Sequence, residues 1–226
     1  RLLGNKENLL NLNQMGFSKM NLKYFKDMIS ASSGLIVITG PVNSGKSTLL
    51  YASLNYLNRL DTNIITIEDP VELNLDGINQ MQVNQKAGMD FSVALRASLR
   101  QDPDIVMIGE IRDEQTAKIA ITCALTGHLV LTTIHASNAP LLLKRLMNLG
   151  ISQVDIIDVV IGAISQKMIY DKENERVIVL SELMNQLEIK NYLEKDCLNY
   201  INFSDQAEQL ISQGFSSDLF IEEAYE

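Results

Sequence analysis

This 226-residue sequence has no tryptophan, only two cysteines and only two histidines. Cys123 and Cys197 lie far apart and form no C-x-x-C pair, so the sequence offers neither a disulfide framework nor a zinc knuckle and fits a reducing compartment. No apolar stretch approaches the roughly 20 residues that a membrane-spanning helix needs, and we find no signal-peptide pattern. We therefore expect a globular protein of the cytoplasm.

Basic residues are also scarce. The sequence has 19 lysines and arginines against 28 aspartates and glutamates, a formal net charge of −9 and a pI near 4.8. An acidic surface is a poor electrostatic partner for nucleic acid or anionic lipid, so we predict docking on a protein partner and no direct nucleic-acid contact. Hydrophobic residues make up 46% of the chain, enough for the core of one large domain, with or without a small appendage.

Short apolar runs alternate with helix-like patterns through the middle of the chain. Strands that alternate with helices form mainly parallel sheets, so we predict an α/β fold with a mainly parallel central sheet flanked by helices. The segment 167–183 alternates around a polar middle, which predicts a hairpin, and residues 186–226 are expected to form peripheral helices. The predicted strands are 35–39, 63–69, 77–83, 104–110 and 129–134, and the predicted helices are 21–32, 46–60, 92–100, 114–125, 139–149 and 154–165.

A glycine-rich stretch, GPVNSGKSTLL, follows the first buried strand and fits G-x-x-x-x-G-K-[ST]. In such a loop backbone N–H groups hold phosphate oxygens, and glycines let the backbone approach them closely. Lys46 would reach the β- and γ-phosphates and Ser47 would bind Mg²⁺, while Asn43 tolerates a positive φ in mid-loop. An ordinary strand-to-helix turn is the alternative. The flanking strand and helix favour an ATP site that includes Gly40, Pro41, Asn43, Ser44, Gly45, Lys46, Ser47 and Thr48.

Acidic side chains stand at the ends of two other predicted strands. Glu68, Asp69 and Glu72 follow one strand, and Glu110 follows another directly after Gly109. The carboxyl ends of parallel strands meet at one sheet edge, so we predict that these carboxylates face the triphosphate, hold the water shell of Mg²⁺ and orient an attacking water. Glu110 would contact Mg²⁺ through water, because Gly109 stands where a ligating aspartate is usual. Each acid taken alone could equally cap a helix or lie in a solvated loop.

The histidines and three arginines leave alternatives open. His135 ends a predicted strand at the same sheet edge, which favours a function. His128 lies at a predicted helix end, where a structural role is equally compatible with the sequence. Arg96 and Arg100 are four residues apart and share a helix face; together with Arg112 they could form salt bridges with nearby aspartates or approach phosphates.

Three stretches of the sequence resemble the ATPase superfamily of type II secretion and type IV pilus assembly. They are GPVNSGKSTLLYASL, ITIEDPVEL and ALRASLRQDPDIVMIGEIRDEQTAKIAITCALTGHLVLTTIHASNA. The likeness runs from Gly34 to Leu149, about half of the chain, and the pair DPDIVMIGEIRD and TGHLVLTTIHA is highly specific. It implies the C-terminal ATPase domain of a ring motor, hexameric when full length, with a RecA-like P-loop NTPase core that uses ATP and Mg²⁺.

The resemblance also implies a role for each matching residue. The acidic box of the family falls on Glu68–Glu72, and its catalytic glutamate aligns with Glu72. Glu110 matches the Walker B glutamate, and His128 and His135 match the histidine box, with His135 near the γ-phosphate as a sensor. The implied catalytic residues are Glu68, Glu72, Glu110 and His135, and the implied metal ligands are Ser47 and Glu110.

The sequence departs from the family in three places. Many members carry four zinc-binding cysteines beyond the histidine box, whereas QKMIYDKENERVIVLSEL has none, so we expect no zinc. Val42 and Asn43 replace the usual threonine and glycine of the loop. We expect that this sequence lacks the N-terminal domain of the family, with residues 1–20 resembling only its exit linker, and that it therefore binds ATP but hydrolyses it poorly. We divide the remainder into an ATPase core at 21–170 and a hairpin and helical appendage at 171–226.

We therefore expect a motor at the inner face of the cell membrane that hydrolyses ATP in a ring and drives pilus or pseudopilus assembly through a membrane platform protein. A short, zinc-free member is most similar to the competence-pilus (DNA uptake) motors of Gram-positive bacteria. Two other classes stay open. A nucleic-acid translocase on a RecA-like core would need basic and aromatic loops, and residues 77–90 offer only Lys86. A non-hydrolysing scaffold would bind ATP without turnover.

Overall fold

A single sheet organises residues 11–171 and 175–212, the part of the chain that the computed structural model describes. Its strands are β1 (Gly34–Thr39), β2 (Ile64–Glu68), β3 (Asn79–Gln82), β4 (Ile105–Ile108), β5 (Leu129–Thr133), β6 (Val160–Asp171) and β7 (Arg176–Asn185). Their order is β3-β2-β4-β5-β1-β6-β7, with every pair parallel except β6 and β7. This confirms the predicted α/β fold with a mainly parallel sheet.

The helices flank this sheet, and most begin at a side chain that accepts a hydrogen bond from the first turn. Their bounds are α1 (Lys19–Ile29), α2 (Lys46–Leu57), α3 (Phe91–Ser98), α4 (Glu114–Leu125), α5 (Ala139–Asn148), α6 (Gln153–Val159), α7 (Gln186–Lys195) and α8 (Phe203–Ser212). Asp90, Asp113, Asn138 and Ser152 cap α3 to α6 in turn. Within the described ranges, no helix combines the length and the apolar character that crossing a membrane would require.

Two apolar layers cover the two faces of the sheet. On one face α1 and α2 pack over Ile36, Ile38 and Ile164. On the other face α3 to α7 pack over Val37 and Ala163. Alternate residues of β1 and β6 therefore enter different layers, which explains why their sequences are apolar on both faces.

The predicted helix over 154–165 is wrong in its second half, because α6 ends at Val159 and β6 begins at once. The apolar residues of VDIIDVVIGAIS fit a helical period as well as a buried strand, and periodicity alone does not separate the two. Pairing with β1 decides the outcome, with Ile36 opposite Gly162. Gly162 also makes room for α1, since a Cβ there would lie 3.0 Å from the Sδ of Met28. The other predicted strands and helices, up to residue 149, are confirmed with ends within three residues.

Strands β6 and β7 form the predicted hairpin, and it extends the central sheet beyond β1. Helix α8 packs through Phe203 and Ala207 on the outer part of this hairpin. The predicted domain boundaries stay predictions. Residues 1–10 of the predicted linker and residues 213–226 of the predicted appendage lie outside the described residues.

Candidate functional site

The glycine-rich loop leaves β1 and turns into α2 under tight backbone constraints. Gly40 has φ 143° and Gly45 has φ 86°, and a Cβ at Gly40 would collide with the backbone carbonyl oxygen of Gln166 on β6. Asn43 has φ 65°, so the positive φ predicted from its residue type is confirmed. The Gln166 side-chain amide donates to the backbone oxygen of Ser44. The loop is therefore held against β6, and its two glycines are required by geometry.

Lys46, the first residue of α2, lies over the loop. Its ammonium group donates to the backbone oxygens of Gly40 and Pro41 at 2.8 and 2.7 Å. Partial burial lowers the pKa of Lys46, and the negative charge of Glu110 opposes that shift. The side chain thus places a positive charge between the loop and the acidic strand ends, where phosphate oxygens would compete for it.

Three strand ends are joined next to the loop by hydrogen bonds. The backbone N–H of Gly109, after β4, donates to the oxygen of Ile67 in β2 at 2.8 Å. The hydroxyl of Thr133, at the end of β5, donates to the oxygen of Gly109 at 2.7 Å. A cavity of about 220 Å³ opens at this edge. Its lining includes the predicted site residues Lys46, Ser47, Glu68, Asp69, Glu72, Gly109, Glu110 and His135.

Glu68 is buried and its carboxylate accepts three side-chain hydrogen bonds. It accepts hydrogen bonds from the Thr66 hydroxyl at 2.6 Å, from the Gln80 amide at 3.0 Å and from the Tyr51 hydroxyl. The Tyr51 oxygen in turn accepts from the backbone N–H of Glu72 at 3.1 Å. Burial, and then the bond to Glu68, raise the pKa of Tyr51. Glu68 therefore anchors the segment that carries Glu72, whose own side chain is exposed.

Glu110 lies between a histidine and an arginine. Its carboxylate, whose side chain is 18% exposed, accepts from the guanidinium of Arg112, and its other oxygen is 3.6 Å from Nε2 of His135. The contact with Glu110 raises the pKa of Arg112. The His135 side chain is 71% exposed. The acid and the imidazole predicted from two different strands are thus neighbours on the cavity wall.

The remaining sequence candidates lie elsewhere. His128 ends the turn after α4, where its Nδ1 is 2.9 Å from the oxygen of Cys123 and 3.1 Å from the Thr126 hydroxyl. This contact with the end of a helix favours the structural alternative for His128. Arg96 donates to the Ser92 hydroxyl at 3.1 Å within α3, and Arg100 is exposed just beyond that helix. Neither arginine lines the cavity.

Sequence reasoning missed three residues of the site: Tyr51, Arg112 as the partner of Glu110, and Gln166. Tyr51 faces the site from the second turn of α2, and its spacing of four residues from Ser47 is the signal that could have suggested it. Gln166 was hidden, because the wrongly predicted helix ends just before it. The Arg112 contact spans only two residues, and no pattern in the sequence distinguishes it from a pair with an aspartate.

The loop passes a simple test for phosphate. Its glycines leave room that a Cβ would fill, and the buried hydroxyl of Ser44 has no hydrogen-bond partner among the described residues. The Lys46 ammonium lies above the same loop. For a metal, the described residues contain no group of three or more His, Cys, Asp or Glu side chains placed so that they alone could hold an ion. The donor set therefore fits an ion such as Mg²⁺ only with phosphate and water as most of its ligands.

Comparisons with known sequences find one family and relatives that are named for type II secretion or type IV pilus assembly. A sequence model of the family described as "Type II/IV secretion system protein" matches residues 1–211. The chain is 52% identical over 151 residues to the type IV pilus assembly ATPase PilB of Myxococcus xanthus, which covers 67% of this chain and 27% of that protein. It is 46% identical over 169 residues to type II secretion system protein E of Pseudomonas aeruginosa, covering 75% and 34%. The chain thus spans about a third or less of the length of these curated relatives.

Solved structures share the fold. The pilus retraction motor PilT with bound ADP is 27% identical, with a TM-score of 0.83 over 96% of this chain and 67% of that one. The ATPase DotB of Legionella pneumophila has a TM-score of 0.76 over 93% of this chain and 64% of that one, and at 24% identity this likeness concerns the fold alone. The predicted RecA-like P-loop architecture is confirmed.

Proposed function

Because the chain belongs to the type II/IV secretion system protein family, we propose that it is the ATP-hydrolysing core of a motor that powers assembly of a type IV-like pilus or a type II secretion pseudopilus. The observation that carries the proposal is that Lys46, Glu72, Glu110 and His135 line one and the same cavity. Relatives named as a pilus assembly ATPase and a type II secretion protein support it.

Each side chain has a task in this proposal. The loop N–H groups and Lys46 bind the β- and γ-phosphates. Glu72, exposed in the cavity, accepts a proton from the attacking water or orients it. His135 contacts the γ-phosphate side of the site, and its proximity to Glu110 lets the two respond together when that phosphate leaves. Glu68 acts through Tyr51, because its own oxygens are already bonded.

We assign Mg²⁺ to the Ser47 hydroxyl, with Glu110 acting through the metal's water. Both side chains line the cavity beside Lys46. When bound, Mg²⁺ would neutralise charge that develops on the phosphates. Glu110 also accepts a hydrogen bond from Arg112, which orients its carboxylate at the cavity wall.

We further propose that the complete protein works as a ring, a hexamer when full length, docked on a membrane platform protein at the inner face of the cell membrane. The acidic balance of the chain, −9 at pH 7, supports a protein partner over direct contact with lipid or nucleic acid. The narrower prediction of a Gram-positive competence pilus depends on the missing cysteine quartet and stays a prediction.

Steady-state phosphate release by the complete protein tests the proposal. Lys46→Ala should abolish both the binding of ATP and the release of phosphate. Glu72→Gln should lower kcat by about 100-fold or more while ATP binding is kept, because it removes proton transfer and not phosphate contacts. His128→Ala, a histidine outside the cavity, is the matched control and should retain turnover.

The same assay separates the alternatives. ATP binding without any turnover in the complete protein would favour the non-hydrolysing scaffold. Turnover that rises severalfold on adding DNA would favour a translocase. Equal turnover in the wild type and in Glu72→Gln would remove Glu72 from the catalytic set.

A further inference from the structure

The outer part of the β6–β7 hairpin, here called the hairpin arm (residues 166–171 and 176–181), has two different faces. Side chains alternate between the faces of a strand. Lys167 and Ile169 point to α8, where Lys167 lies 5.1 Å from the centre of the Phe203 ring and Ile169 packs in the same cluster. Gln166 and Met168 point to the glycine-rich loop. The face that carries Lys167 and Ile169 is thus covered by α8. The face that carries Gln166 and Met168, here called the loop face, extends beyond the glycine-rich loop.

Next to the glycine-rich loop, the side chains on the loop face are apolar and exposed to solvent. A Cβ at Gly45 would lie 3.4 Å from the Sδ of Met168, so this side chain lies directly beside the phosphate cradle. The next residue on that face, Tyr170, is 56% exposed, and its cross-strand partner Val177 is 53% exposed. Met168 is 40% exposed. These three side chains form an uncharged surface that begins at the cradle.

We propose that Met168, Tyr170 and Val177 bind the base of the nucleotide whose phosphates the loop holds. The inference deepens the proposed function and rests on it. Tyr170 lies two residues beyond Met168 along β6, a step of about 6.6 Å at the usual strand rise, which is of the order that a sugar and a phosphate span. A flat aromatic base stacks on a tyrosine ring and contacts methionine and valine without the need for charge. Continuity with the cradle favours the nucleotide over other occupants of this face.

Affinity measurements with and without a base test the inference. ATP and inorganic tripolyphosphate are titrated into the chain, the second carrying the phosphates alone. Tyr170→Ala should weaken ATP binding by about tenfold or more, as expected for the loss of one base–aromatic stack, and leave tripolyphosphate binding unchanged. Tyr170→Phe keeps the ring and should bind ATP like the wild type. Tyr56→Ala, an exposed tyrosine at the far end of α2, is the matched control and should change neither affinity.

Each other result has a defined meaning. Wild-type protein that binds ATP no more tightly than tripolyphosphate would overturn the base site and leave the phosphate site standing. The same holds if Tyr170→Ala keeps full ATP affinity, or weakens both ligands equally through a distorted loop. If Tyr170→Ala instead abolishes self-association at unchanged ATP affinity, the surface is a contact between copies. Only a wild type that binds neither ligand counts against the proposed function itself.

Discussion

At the scale of single residues, Tyr51 connects the helix that follows the phosphate loop to the acidic segment that follows β2. Its hydroxyl donates to Glu68 and accepts from the backbone N–H of Glu72. It is carried by the helix that also begins with Lys46. One phenol group therefore fixes the acidic segment relative to the phosphate loop.

We expect Tyr51→Phe to lower kcat by about ten- to a hundredfold, because loss of the hydroxyl frees Glu72 to leave its position. The KM for ATP should stay near the wild-type value, since the phosphate contacts are untouched. Steady-state kinetics on the complete protein give both numbers. A rise in KM at unchanged kcat would contradict a positioning role, and Tyr56→Phe on the same helix controls for the substitution.

The Gly40→Ala variant tests the close approach of the loop to β6. The new methyl group would collide with the backbone of Gln166, so the loop must move, at a cost of several kcal/mol in unfolding free energy or with loss of ATP binding. Gly88→Ala is the control, because Gly88 also has a positive φ but has no atom within 4 Å of an added Cβ. Gly88→Ala should lower the free energy of unfolding by only about 1 kcal/mol. Urea unfolding and ATP titration distinguish the two; equal losses would refute the steric argument.

The sequence predicts which residues meet at the candidate site but not the side-chain contacts that hold them in place. Lys46, Ser47, Glu72, Glu110 and His135 were predicted to meet, because motif and strand ends fix backbone positions. The Tyr51 and Gln166 contacts depend on side chains that reach between distant segments, and no local pattern encodes such a meeting. The positive φ of Asn43 could be predicted, because the residue lies in mid-loop and asparagine tolerates that conformation.

At the scale of elements, Glu182 on β7 joins three parts of the fold. Its buried carboxylate accepts from the backbone N–H of Ala139 at 3.0 Å and from that of Phe203 at 3.3 Å. These are the first residues of α5 and α8. A single acid thus stabilises the starts of two helices that contact the hairpin from different positions in the chain.

Burial raises the pKa of Glu182 above its ordinary value of 4.5, and the two backbone N–H groups oppose the shift. The folded protein therefore holds this proton more tightly than the unfolded chain. The contribution to stability is complete below pH 4.5 and is lost as the pH rises through the raised pKa. We expect the difference in unfolding free energy between wild type and Glu182→Gln to fall over that interval.

Urea unfolding at a series of pH values measures this difference directly. Glu208→Gln, an exposed glutamate on α8, is the control and should give a difference that does not change in this way. A wild-type advantage over Glu182→Gln that grows with pH above 4.5 would show that the two N–H groups outweigh burial, contrary to our assignment.

Element prediction failed at one place for a physical reason. The residues on both sides of the junction between α6 and β6 are largely apolar, and β6 is buried between apolar layers on both faces of the sheet. The strand half of this segment is chosen by hydrogen bonds to β1, a partner more than a hundred residues away in sequence. Strands β1, β2, β4 and β5 were recognised because they are short, β-branched and bounded by turns.

At the scale of the whole molecule, the cavity is open to solvent on the side of His135 and Arg112. An open site leaves water in contact with the reacting phosphate, whereas closure strengthens its electrostatic interactions. If a ring closes the site, specific ATPase activity of the complete protein should rise with protein concentration. Activity per protomer that is constant over a hundredfold dilution, with a constant sedimentation coefficient, would contradict assembly-dependent turnover.

The arm of the hairpin sets a further condition on how this sequence can change. Because its side chains contact the loop and α8 alternately, inserting one residue directly after Gln166 would turn each later side chain of β6 to the opposite face. The tyrosine would turn to the helix, and Ile169 would turn to the cradle. Surface loops often tolerate long insertions, but this stretch keeps its side chains on their present faces only if residues are inserted or removed in pairs.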